Sequence, residues 1–165
     1  MKIGGRRAVN ELLQAPWTIR AGLLALFLAL AVSVVTDLRE RRILNWGTIP
    51  ALALVIALSA AAGGWPLLRN GLLGMAVCAF PLLVAALPGW VGMGDVKLIA
   101  VCGAAAGYPA AVAVLVLVTV AGGLQAGMQL AVARIRGTGR PTHVPYACSI
   151  AAGTVAAFLV GGSFL

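Results

Sequence analysis

The chain has 165 residues, of which 62% are hydrophobic and 10% charged, and its formal net charge is +8. Soluble domains are about half apolar and a quarter charged, so this composition excludes an ordinary soluble fold and describes a chain built for lipid. The basic residues lie in short stretches between apolar runs, with no basic face and no aromatic interleaving; this argues against nucleic acid as a partner and for the lipid bilayer.

In chain order, residues 1–16 carry Lys2, Arg6 and Arg7 and are expected to form an interfacial segment ahead of a first membrane helix, rather than a signal peptide. A bilayer core of about 30 Å needs roughly 20 apolar residues per helix. The first span is expected over about 17–36. It is followed by "TDLRERRILNWG" (36–47), which holds five charged residues. A second span over about 46–62 ends at the turn cluster Gly63-Gly64-Trp65-Pro66, and a third over about 70–87 is closed by Pro88-Gly89. Leu98 to Ala133 is then free of charge for 36 residues, about 54 Å if helical, which is too long for one crossing. Gly107-Tyr108-Pro109 divides it. The fourth span (93–107) must therefore begin at or before Asp95, which brings that carboxylate to the membrane edge. A fifth span covers about 110–133, a basic loop follows, and a sixth covers about 146–165.

The expectation is an all-α, polytopic membrane protein of six transmembrane helices in a single domain, residues 1–165. Six spans place the stretches around Asp37, Asp95 and His143 on one membrane face by parity. Seven basic residues accompany these loops (Arg39, Arg41, Arg42, Lys97, Arg134, Arg136, Arg140) against five on the other side (Lys2, Arg6, Arg7, Arg20, Arg69), so the positive-inside rule puts the aspartate loops in the cytoplasm. Cys78, Cys102 and Cys148 stand apart in apolar segments with no C-x-x-C pair; they read as small buried hydrophobes, with no metal site and no cofactor expected.

Only four residues are acidic. Alone, Asp37 reads as a solvated loop residue pairing with neighbouring arginines, and Asp95 as a helix N-cap. Together, at the ends of different spans on one face, they suit aspartyl proton chemistry: two carboxyls about 3 Å apart cannot both ionise, so one takes a proton from water while its neutral partner donates. Gly92 and Gly94 leave room beside Asp95 for a second helix or an extended peptide, though close helix packing explains them equally well.

"DLRERRILN" from Asp37, "GMGD" ending at Asp95 and "PTHVPYACSIAAG" near the C-terminus together resemble the type IV prepilin peptidases, membrane aspartyl proteases of the GxGD class. The resemblance implies that Asp37 and Asp95 are the catalytic pair and that Gly92, Gly94 and Lys97 form their setting. Asn45 closes an Ile-Pro-Asn-like turn in which Leu44 replaces the usual proline. It further implies cleavage of a short basic prepilin leader, after a glycine, at the cytoplasmic face of the bacterial inner membrane. The chain is similar to the short stand-alone peptidases of Flp-type (tight-adherence) pilus systems. It lacks the tetracysteine domain that methylates the new amino terminus in many members, so no N-methyltransferase activity is expected. The sequence leaves the oligomeric state open.

The remaining polar residues read more plainly. Arg39, Arg41 and Arg42 are topology determinants, and lipid headgroups or acidic substrate residues are their second reading. Tyr146 is an interfacial anchor and His143 a solvated loop residue. Gln125 and Gln129 either bond across helices or line a polar groove. The rival function is a small proton-coupled transporter relaying protons through Asp37 and Asp95. No internal repeat supports it, and both acids sit at span ends rather than at midplane.

Overall fold

The computed structural model describes residues 15–40, 42–137 and 146–161. The expectations placed on residues 1–14, Arg41, Arg140 and His143 lie outside them. Among the described residues all regular structure is helical: α1 (Trp17–Glu40), α2 (Asn45–Ala86), α3 (Met93–Ala106), α4 (Ala110–Ile135) and α5 (Tyr146–Gly161). Three of these, α1, α2 and α4, are long and apolar enough to cross a membrane, and α5 is a shorter apolar helix.

Glycine and proline set the breaks. At 42 residues, α2 would measure about 63 Å as one straight rod, roughly twice the apolar slab. Gly63 and Gly64 leave helical geometry inside it, with Gly64 at φ 59°, a conformation that glycine adopts without steric cost. The break divides α2 into a first arm (45–62) and a second arm (65–86). Pro66 stands at the start of the second arm, where a missing N–H costs least. Beyond Ala86 the chain turns through Gly89 at φ 82°, and α3 ends at Gly107 with φ 67°. The N–H of Tyr108 donates to the Asn70 carbonyl at 3.0 Å, tying the α3–α4 turn back to α2.

The helix that carries Asp95 occupies the middle of the bundle. Ten of the 14 residues of α3 are buried, Val96 and every residue from Leu98 through Ala106, and the helix packs against each of the other four. It meets the second arm of α2 at a crossing of bare backbones. A Cβ added at Gly103 would run into the Gly74 carbonyl and lie 2.8 Å from Cys78 Cβ, and one added at Gly74 would meet the Gly103 carbonyl. Within a bilayer, helices gain little from excluding water and associate through such close van der Waals approach. The Cys78 thiol donates to the Ala111 carbonyl at 3.3 Å, joining α2 to α4 across the same region.

A second close crossing joins α4 to α5. Gly153 lies so near the Val118 backbone that a Cβ would collide with it, while a Cβ added at Gly122 would lie 3.2 Å from the Tyr146 ring. Ser149 Oγ and Gln125 Oε1 form a short hydrogen bond between the two helices. Of the two readings open for Gln125, bonding across helices is the one it adopts. Tyr146 is half-buried against α4.

Candidate active site

Four chain segments meet at one end of the bundle: the last turn of α1, residues 42–45, the first turn of α3 and the first turn of α5. The first brings Asp37. The helix does not stop at Thr36, where the basic run begins; it continues through Asp37 to Glu40, and Asp37 faces inward with 4% exposure. The reading of Asp37 as a solvated loop residue is thereby corrected. An isolated carboxylate taken out of water is unfavourable unless polar groups meet it, and one partner is the backbone N–H of Ala147, which donates to Asp37 Oδ2 at 3.1 Å. The thiol of Cys148, next along α5, lies within electrostatic reach of the same carboxylate. Arg39 and Glu40, one turn on, are exposed.

Asp95 comes from the first turn of α3, where it is half-buried. It is not the N-cap. Gly92 holds that position in extended backbone (φ −72°, ψ 141°), and Asp95 stands three residues later. Its own N–H donates to the Gly92 carbonyl at 3.0 Å. Its carboxylate folds back over the turn, so that Oδ2 lies 3.0 Å from where a Cβ on residue 92 would be. An anion in the first turn is favoured by the exposed N–H groups and the helix dipole.

The glycines and Lys97 fix this turn against the segment that follows α1. A Cβ on Gly94 would come within 2.8 Å of Ile43 Cβ, so only glycine allows that approach. One turn further along α3, Lys97 Nζ donates to Asn45 Oδ1 at 2.8 Å, pinning α3 to the first residue of α2. Gly94, Lys97 and Asn45 are thus brought together. Asp37 lies just before the 42–45 segment in sequence, and Asp95 lies beside that segment in space. The two acids therefore share one end of the bundle. Ile43 and Ala147 fall within the motifs around Asp37 and Tyr146, but nothing in the sequence marks the one as the neighbour of Gly94 or the backbone N–H of the other as a donor to Asp37.

Chemically, this end of the bundle offers two carboxyl groups on rigid helix termini, one buried and one partly open, within a helical membrane protein. Among the described residues no group of His, Cys, Asp and Glu could hold a metal ion. The model of the type IV leader peptidase family matches residues 24–127, more than half of the chain and a stretch that includes both acids. No curated protein and no solved structure matches it. The fold and the family match define a membrane peptidase. The chain belongs to the type IV leader peptidase family, and its substrates are prepilins.

Proposed function

We propose that the protein is an aspartyl endopeptidase of the GxGD type that removes the short basic leader of Flp-type prepilins, with Asp37 and Asp95 as its catalytic pair. The observation that carries this reading is the meeting of the α1 end, the 42–45 segment and the α3 start, which sets both acids at one end of the bundle. The pair shares one proton. The ionised carboxyl takes a proton from a water molecule as it attacks the scissile carbonyl. The protonated carboxyl donates to the carbonyl oxygen, the proton taken up by the base passes to the leaving amine as the peptide C–N bond breaks, and the collapsing diol returns a proton to the carboxylate that gave one. Gly92 and Gly94 keep the approach to Asp95 clear, and the Lys97–Asn45 bond holds the turn at its working distance from α1.

Cleavage falls after a glycine, on the cytoplasmic side of the prepilin's apolar segment, and six spans in a single domain (residues 1–165) of the bacterial inner membrane carry the site. The excess of basic residues around the Asp37 and Asp95 loops supports this sidedness. The proposed reaction ends with leader release and includes no N-methyl transfer. Co-expression with a tagged prepilin, followed by gel analysis of leader removal, tests the proposal. Asp37→Asn and Asp95→Asn are each expected to leave the prepilin uncut while inserting normally into the membrane. Wild-type processing by either variant sinks the catalytic pair.

A further inference from the structure

We propose that the backbone N–H of Ala147 is a positioning donor for Asp37, which makes the first turn of α5 a working part of the catalytic site. The inference rests on the reading of Asp37 as a catalytic acid. Ala147 lies beyond residues 24–127, the stretch matched by the family model, and its side chain carries no chemistry. Its amide nevertheless reaches across 110 positions of sequence to donate to Asp37 Oδ2 at 3.1 Å, in a place where Ala147 is fully buried and Asp37 nearly so.

A carboxylate on a flexible Cβ–Cγ bond presents its oxygens in many directions. One tied to a rigid amide presents them in one, and reaction rates fall steeply when a reacting group is misplaced by about 1 Å. The amide is itself held rigidly. One residue earlier, the Tyr146 ring packs on Gly122; two residues later, Ser149 bonds to Gln125; a turn further on, Gly153 rests on the Val118 backbone. Each contact fixes α5 to α4, so α4 and α5 act as a bracket that aims one N–H at Asp37. Ala147 stands in the first described turn of α5, where backbone N–H groups commonly look outside the helix for an acceptor.

Because the donor is backbone, side-chain changes and donor removal separate cleanly. Val155→Ala, at an exposed position of α5 away from the site, is the side-chain control and is expected to cleave a synthetic prepilin peptide in nanodiscs at close to the wild-type kcat. Ala147→Pro removes the N–H at a first-turn position that helices tolerate. Its ring also crowds Asp37, so the decisive variant replaces the Ala147 amide by an ester, with lactic acid in place of alanine, through cell-free synthesis into nanodiscs. Hydrogen bonds to charged groups contribute enough that kcat of the ester enzyme should fall ~10–100-fold. KM should stay within about twofold, because the lost contact is not with substrate. An ester enzyme with wild-type kcat, or one whose loss lies in KM alone, overturns the proposal. Asp37→Asn assayed alongside keeps the two readings apart. If that variant retains activity, the catalytic assignment itself fails; if it is dead while the ester enzyme is fully active, only the positioning role fails.

Discussion

Substituting Gly103 by alanine probes the contact that places α3, and with it Asp95, inside the bundle. The added methyl would press on the Gly74 carbonyl and lie 2.8 Å from Cys78 Cβ, whereas ordinary contact begins at 3.4 Å. Neither neighbour can swing aside, since one is backbone and the other is the first atom of a side chain. The two helices must part by several tenths of an ångström or more. Overpacking of this kind costs about 1–3 kcal/mol, offset by the roughly 0.5–1 kcal/mol that alanine gains over glycine within a helix. Gly123, in the middle of α4, has nothing within 4 Å of the corresponding position. There the same substitution should be neutral or stabilising by about 0.5–1 kcal/mol. Reversible unfolding of the detergent-purified protein in SDS, followed by far-UV circular dichroism, measures both variants. Gly103→Ala should be the less stable by about 1–3 kcal/mol and should cleave prepilin more slowly, because α3 carries Asp95. If the two variants unfold together, the Gly74–Gly103 crossing does not hold the bundle as argued.

Gly94→Ala should cut leader release by about tenfold or more by pushing the Asp95 turn away from Ile43; because the obstructing atom is Ile43 Cβ, adding Ile43→Ala should not restore the rate, and rescue by that double variant counts against the contact. Gln125→Leu should destabilise the α4–α5 pair by about 0.5–1.5 kcal/mol through loss of the bond to Ser149, read as a lower SDS midpoint; an unchanged midpoint contradicts it. With the native cysteines replaced, a reporter cysteine at Arg42 or Trp90 should react with a membrane-impermeant maleimide only from the cytoplasmic side, and one at Trp65 only from the periplasmic side. Reversed labelling overturns the topology.

Much of the architecture was legible because backbone punctuation is written in residue types. Gly63-Gly64, Pro88-Gly89 and Gly107-Tyr108-Pro109 mark the places where helices break, since only those residues disrupt or release helical geometry cheaply. The all-helical membrane class followed from composition. What composition does not distinguish is lipid from protein as a surrounding: α3 is enclosed by four helices, yet its sequence is no more apolar than that of helices facing outward. The same limit hid the Gly74–Gly103 crossing, because the chain has 21 glycines and only the packed structure picks out the pair that touch. The arginine-rich run after Thr36 resembled a loop, but a membrane helix can run on into its polar flank, and α1 does so far enough to bury Asp37. The two acids stood out because carboxylates are rare in this chain. The amide that holds one of them belongs to an alanine, and a backbone donor leaves no mark in a sequence.

The pairing of Asp37 and Asp95 is the claim on which the functional account turns, and its most direct test is a comparison of three variants purified in nanodiscs with one synthetic prepilin substrate. Two groups that share a single proton act as a unit, so removing either should cost as much as removing both. Asp37→Asn, Asp95→Asn and the double variant are expected to release leader at the same background rate, with helical content and SDS midpoints near wild type. A single variant that clearly outpaces the double one would show that the two carboxyls act separately and would contradict the account.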